Sequence, residues 1–246
     1  PIGPRAGAAG APAAGAVRCL GYGVNLDRWP FADRPRGAHL ACLVHDAGSA
    51  NLPLLLQCFH ALHRADGRYK LFVAGLARDG GALDQYLACL RTELGLDGSA
   101  FFEPAPDDKP RWLADKHYVV SAAVDGSDLP GVLEAMATGL EPVVHAWPGS
   151  RELLDETHLF RTSEEFCRRV LHDPYEPRAC RDFVAGRFAL ARMLERVNEV
   201  LCALEADPLK GDEPQDLADE AAWSALCAEL QSRPGGTRAA PHDGRR

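Results

Sequence analysis

Several features that would point to a particular class of protein are missing from this sequence. No run of about 18 apolar residues occurs, so we expect no membrane-spanning helix. Basic residues are outnumbered, 27 against 35 acidic ones, and the net charge of −8 argues against a broad nucleic-acid surface. No initial Met and no signal-peptide pattern are present. We therefore expect a fragment or a processed chain that lacks an N-terminal part.

The cysteines form no Cys-x-x-Cys pair. All eight lie apart from one another, most of them in apolar helical or strand patterns. We expect reduced core residues of a cytoplasmic protein rather than zinc ligands or disulfide partners. No set of His, Cys and Asp has metal-ligand spacing, so no metal is expected.

Composition divides the chain into four parts. Residues 1–16 are rich in Ala, Gly and Pro and are expected to be a disordered linker. Residues 17–204 carry the regular apolar patterns of a folded lobe. Residues 205–232 combine an acidic segment with an amphipathic helix, and residues 233–246 are expected to be a disordered tail.

Within the lobe, short apolar strands alternate with amphipathic helices. The predicted strands are Leu40–Val44, Tyr69–Ala74, Ala100–Phe102, His117–Ser121 and Pro142–His145. The predicted helices are Leu52–Leu62, Ala82–Leu94, Pro110–Ala114, Gly131–Thr138, about Glu164–Leu171 and about Pro177–Leu204. This alternation predicts an α/β fold with a doubly wound parallel sheet, Rossmann-like, whose ligands bind beyond the carboxyl ends of the strands.

The segment from Asp125 to Val144 is the most informative one for function. An apolar strand runs into a turn, and a helix follows with Pro130 at its start and Glu134 in its first turns. The unpaired amides of Gly131 and Val132 would suit an anion, and nearby carboxylates would accept hydrogen bonds from sugar hydroxyls. A nucleotide-sugar has both groups. The alternative is an ordinary helix start with a solvated Glu134.

The stretch from Leu40 to Phe188, with the segment just before it, resembles the C-terminal, donor-binding half of family 4 glycosyltransferases, which have the GT-B fold. The matching segments are Gly23–Trp29, Leu54–Phe59, Leu71–Gly75, Leu133–Gly139, and Pro142–Val144 running on to Pro148–Ser150.

The resemblance implies roles for particular residues. In that family two glutamates are separated by seven residues; the second contacts the donor ribose and corresponds to Glu134. The first faces the sugar, but its position here is Gly126, so Asp125 or Asp128 is expected to take its place.

The loop after the first strand departs from the family as well. The family has an Arg and a Lys there that neutralise the diphosphate, and His45 and Ala50 stand at those positions. From this loop we expect His45, Gly48 and Asn51 to contact the donor.

Two functions remain open at this point. In the first, the lobe binds a nucleotide-diphosphate sugar, and the sugar passes with retention to a glycan or another hydroxyl acceptor, without a cofactor. An N-terminal acceptor lobe or a partner chain would complete the enzyme. In the second, a degenerate lobe acts as a binding or assembly module. A sugar-nucleotide epimerase is a third class, but it would need catalytic carboxylates that we cannot place.

Overall fold

A computed structural model describes residues 20–76 and 81–206. The predicted linker, the predicted tail and most of the acidic segment lie outside the described residues, so the predicted domain boundaries stay predictions. Contacts divide the chain into one compact unit up to Asn198 and another from Glu199 onward. The fold and the site described below belong to the first unit. Over the described ranges, no helix is both long and apolar enough to cross a membrane.

The described part of the first unit is built on one sheet of six parallel strands. They are β1 (His39–Leu43), β2 (Lys70–Ala74), β3 (Ala100–Glu103), β4 (Tyr118–Ser121), β5 (Glu141–His145) and β6 (Leu159–Phe160). The spatial order is β3-β2-β1-β4-β5-β6, so the direction of winding reverses between β1 and β4. This confirms the predicted doubly wound Rossmann-like fold, and such a reversal is where ligands bind in open α/β sheets.

The α-helices of the described residues connect the strands and follow the last of them. They are α1 (Leu52–Ala65), α2 (Ala82–Glu93), α3 (Lys109–Leu113), α4 (Leu129–Ala137), α5 (Ser150–Leu153), α6 (Ser163–Leu171), α7 (Pro177–Phe188) and α8 (Leu190–Ala206). Successive strand side chains point to opposite faces. Accordingly, Leu40 and Cys42 pack into the core with α1 and α6, whereas Ala41 and Leu43 pack into the core with α4 and α7.

The predicted long helix from Pro177 to Leu204 is two helices. Ala189 interrupts it with a non-helical backbone, φ −59° and ψ 137°. The Val24 N–H donates to Phe188 O at 2.7 Å, and the Leu190 N–H donates to Val24 O at 2.9 Å. The break therefore arises because a distant segment pairs with the backbone there.

Some apolar residues and cysteines are more exposed than the sequence pattern suggests. Leu83 and Tyr86 of α2 have the helical spacing of an apolar face with Leu87, but they are exposed and only Leu87 of that helix is buried. Among the described cysteines, Cys42, Cys58 and Cys180 are buried and Cys167 is half-buried, whereas Cys89 and Cys202 are exposed. The two-residue strand β6 and the one-turn helix α5 were not predicted, because both are too short to show a period.

Candidate functional site

The loops that follow β1 and β4 meet where the winding of the sheet reverses. In the first loop, the Asp46 carboxylate accepts from the Gly48 amide at 3.2 Å and from the Ser49 amide at 3.1 Å, which closes a tight turn. Asn51 then leads into α1 with a left-handed backbone, φ 47°. The predicted donor contacts His45 and Gly48 are both exposed on this loop.

These two loops are joined to each other directly. The Ser49 and Ser127 hydroxyls lie 2.8 Å apart, and the Val124 amide donates to Ser49 O at 3.2 Å. A third contact runs from the His45 amide to Asp128 Oδ1 at 3.4 Å. The crevice between the loops is therefore bridged by hydrogen bonds of the protein itself.

The sequence suggested Asp128 as a contact to the sugar, but the residue lies inside the protein. It is 2 % exposed, and its Oδ2 accepts from the Ser121 hydroxyl at 3.0 Å. Burial raises the pKa of this carboxyl, and the hydrogen bonds from Ser121 and the His45 amide oppose that rise. Asp128 thus holds the two loops together from inside. Of the two expected sugar contacts, only Asp125 is exposed, and its Oδ1 accepts from the Ser127 amide at 3.0 Å.

Gly126 stands at the position of the glutamate that the resemblance would place against the sugar. Its φ is +75°, which L side chains rarely adopt. A Cβ on it would lie 2.7 Å from Cε2 of Trp147 and 2.8 Å from Nε1. Trp147 is only 9 % exposed and packs into the core beside α4. The indole therefore fills the space that a side chain at position 126 would need.

At the start of α4, one backbone amide that was expected to be unpaired already has a hydrogen-bond acceptor. The Val132 N–H donates to Asp128 O at 3.0 Å, so this amide is not the unpaired donor that the sequence suggested. Two amides were expected to be unpaired, those of Gly131 and Val132. Among the described residues, only the Val132 amide has an acceptor. A Cβ on Gly131 would lie 3.1 Å from Cε1 of His45, so the imidazole lies against the first turn of the helix.

Glu134 lies on the same face as Gly131, one turn further along α4, and borders a separate cavity of about 700 Å³. The other walls are the segment from Gly23 to Trp29, which includes Asn25 and Arg28, and the loop Pro106–Pro110. Two cations, Arg28 and Lys109, therefore border the same space as the Glu134 carboxylate.

The Glu134 side chain is 18 % exposed, and Lys109 Nζ lies 3.8 Å from its Oε2. That oxygen is buried and has no hydrogen-bond partner among the described residues. The pKa of Tyr22 is raised by burial and, secondarily, by the negative charge of Glu134. A buried carboxylate oxygen without a hydrogen bond is unfavourable, and a ligand hydroxyl would satisfy it.

Reasoning from the sequence missed the residues that contact these positions. Neither Lys109 nor Arg28 was predicted as a site residue, and Arg28 was only part of a short matching segment. Trp147 carried no signal, because its contact with Gly126 joins two different loops. The place of Lys109 after β3 and of Trp147 after β5, at the carboxyl ends of strands, is the one hint that the sequence offered.

No family model and no curated protein matches the chain. Solved glycosyltransferases do match in structure. HepE of Anabaena, in complex with UDP and glucose, superposes with a TM-score of 0.63 at 16% identity, over 74% of this chain and 55% of HepE. The C-terminal domain of LpcC from Francisella tularensis gives 0.57 at 17% identity, over 68% of this chain and 100% of that domain. The pneumococcal O-GlcNAc transferase GtfA gives 0.58 at 13% identity, over 71% of this chain and 38% of that one.

These matches define the class of fold. The chain has the Rossmann-like α/β lobe found in GT-B glycosyltransferases, as the sequence predicted. It spans about half the length of HepE and all of the LpcC domain. At these identities the likeness concerns the fold.

Proposed function

We propose that the chain is the donor-binding lobe of a glycosyltransferase related to family 4. It binds a nucleotide-diphosphate sugar, and in the whole protein the sugar passes with retention to the hydroxyl of a glycan or another acceptor. The observation that carries this proposal is Glu134, a carboxylate with an unsatisfied buried oxygen on the wall of a cavity next to the start of a helix.

Each part of the donor has a candidate partner. Glu134 accepts hydrogen bonds from the ribose, and the loop Pro106–Pro110 surrounds the base. Pro130 and Gly131 lie in the first turn of the helix whose dipole favours the diphosphate. Further phosphate contacts come from His45, Gly48 and Asn51, and the Val132 amide contributes only through the dipole. Asp125 is the exposed carboxylate for the sugar.

The comparisons support the same class of ligand. HepE was solved with UDP-glucose, and GtfA with UDP and GlcNAc. No metal or further cofactor enters this proposal. An acceptor lobe, from a longer form of the chain or from a partner chain, supplies the second substrate, since GT-B enzymes place the acceptor on another lobe.

A second candidate is a binding or assembly module that has lost transfer activity. The contact between Trp147 and Gly126 favours it, because no carboxylate at position 126 faces a sugar. The loop His45–Asn51 also lacks Lys and Arg. A leaving diphosphate then has no cation from this loop, and such stabilisation is often the largest contribution to catalysis.

Isothermal titration calorimetry with UDP-, GDP- and ADP-sugars tests donor binding. We expect one base to give binding, and Glu134→Ala to weaken it by roughly 1–3 kcal/mol, as for a lost charge-assisted hydrogen bond. Glu93→Ala, at an exposed site at the end of α2, is the matched control and should bind as the wild type does. If Glu134→Ala binds with unchanged affinity, Glu134 does not contact the ribose.

Release of nucleoside diphosphate from the donor separates the two candidates. Measured on the protein together with its acceptor lobe, an active enzyme releases it in the presence of an acceptor, and the anomeric configuration of the product reports retention. A binding module retains affinity for the nucleotide and releases none.

A further inference from the structure

We propose that His45 holds the diphosphate of the donor as an imidazolium, so that donor binding takes up a proton and weakens as the pH rises. The inference rests on the proposed donor binding and adds the protonation state in which this site works. It applies to both candidate functions, because each of them begins with a bound nucleotide-diphosphate sugar.

The first argument is the position of the imidazole. His45 lies two residues beyond the end of β1, where the winding of the sheet reverses. Cε1 of its ring would lie 3.1 Å from a Cβ on Gly131, so the ring packs closely beside the first turn of α4 because that residue has no side chain. The diphosphate is proposed to bind at the same turn. The imidazole therefore borders the space proposed for the phosphates.

The second argument is that the residue is held in place while its ring stays available. The His45 amide donates to Asp128 Oδ1 at 3.4 Å, and Asp128 Oδ2 accepts from the Ser121 hydroxyl at 3.0 Å. His45 is exposed, and neither nitrogen of its ring has a hydrogen-bond partner within residues 20–76 and 81–206. A protonated ring carries a hydrogen on both nitrogens, so it can donate to phosphate oxygens from either one.

The third argument is the set of charges around the ring. Asp46 follows it in the loop, and hydrogen bonds from the Ser49 side chain and the Gly48 amide hold the pKa of that carboxyl below its usual range. Asp128 precedes α4, and a positive charge on His45 favours the ionised form of this buried carboxyl. The positive end of the α4 dipole disfavours an imidazolium beside it. A bound diphosphate brings negative charge to that end of the helix, which favours the protonated ring.

The loop His45–Asn51 shows why the protonation of this residue matters. It contains neither Lys nor Arg, so a positive side-chain charge in this loop depends on the one imidazole. The charge of a histidine ordinarily changes between pH 5 and pH 8, whereas an arginine would stay charged throughout that range. A leaving diphosphate thus meets a cation from this loop only while the ring is protonated.

Calorimetry with UDP-glucose, GDP-glucose and ADP-glucose tests the proposal. These probes are chosen because a terminal phosphate would itself titrate near pH 6, whereas the linked phosphates of a diphosphate sugar do not. Titrations at about pH 7.5 in Tris and in HEPES, which have different ionisation enthalpies, give the number of protons taken up. For the donor that binds, we expect about half a proton or more, and about tenfold weaker binding at pH 8.5 than at pH 6.

Variants assign the proton to the ring. His45→Gln should bind without proton uptake, and so should His45→Arg, whose affinity should also be independent of pH because its charge is permanent. His172→Gln, at an exposed site that ends α6, is the matched control and should behave as the wild type does. Nuclear magnetic resonance of the histidine ring C–H groups, with His45 assigned by its loss in His45→Gln, shows directly whether this imidazole gains the proton.

Three results would overturn the inference. Binding without proton uptake, with equal affinity at pH 6 and pH 8.5, would do so and leave the proposed function standing. Uptake that persists undiminished in His45→Gln would assign the proton to another group, such as Asp128. A wild-type protein that binds none of the three diphosphate sugars would overturn the proposed function as well, and this outcome differs from the other two.

Discussion

Arg181 is bonded to the backbone of Trp29. Its Nη1 donates to Trp29 O at 2.6 Å and to Ala137 O at 2.8 Å, and its Nη2 donates to Leu26 O at 3.3 Å. One guanidinium on α7 thereby joins the end of α4 to the segment that forms a wall of the cavity. Arg181 therefore anchors this wall of the cavity, although Arg181 itself does not line the cavity.

Arg181→Ala should lower the free energy of unfolding by roughly 2–4 kcal/mol, because three carbonyl oxygens lose a charged donor. Urea unfolding followed by circular dichroism measures it. Arg192→Ala, at an exposed position of α8, should stay within about 0.5 kcal/mol of the wild type. A loss equally small in Arg181→Ala would contradict the bridging role.

A side chain at position 126 should be costly while Trp147 is present. Gly126→Ala forces a positive φ on an L residue, which costs about 1–2 kcal/mol, and its methyl group meets the indole. In a Trp147→Ala background the steric part disappears, so the effect of Gly126→Ala should be smaller there. A double-mutant cycle of unfolding free energies measures the difference. Additive effects would mean that the two residues do not compete for space.

Asp128 should make stability depend on pH in a definite direction. Its pKa in the folded protein is raised above 3.8, so its contribution to stability is complete at pH values below 3.8 and is lost as the pH rises through the folded value. Asp128→Asn removes this dependence. The urea midpoints of wild type and variant, compared from pH 3 to pH 7, should therefore move in favour of the variant as the pH rises. A constant difference would exclude the titration of Asp128.

The charge of Glu134 should be visible at Tyr22. Burial and this carboxylate both raise the pKa of the phenol, so Glu134→Gln should lower it while the part due to burial remains. Nuclear magnetic resonance of ¹³C-labelled tyrosine, titrated without ligand, resolves the effect. Tyr69 is a control, since its pKa is raised by burial and by Asp66 and opposed by Arg36 and Arg68, and Glu134 is not among these causes. An unshifted Tyr22 would place Glu134 further away.

Much of the fold could be predicted from the sequence because its elements repeat a clear pattern. In α1, six apolar residues recur at helical spacing and all are buried. The strands β1 and β4 are apolar and buried on both faces, as parallel strands are. The exposed side of α2 was not predictable, because Leu83 and Tyr86 have the same spacing as core residues.

The site was less predictable than the fold. Glu134 was found because a carboxylate one turn into a helix after a parallel strand is a local pattern. The bridge between Ser49 and Ser127, the closure at Trp147 and the pairing of Lys109 with Glu134 all join residues far apart in sequence. The same holds for the break at Ala189, where neither Gly nor Pro marks the end of the helix. Such contacts depend on the register of the whole sheet.

The backbone pairing of Val24 with Phe188 and Leu190 links two events that are distant along the chain. Val24 is a neighbour of Asn25 in the wall of the cavity, and Leu190 is the first residue of α8. Val24 itself lines the cavity, and both its N–H and its C=O are used in this pairing. The point at which the long helix breaks is thus set by the same short segment that encloses the cavity.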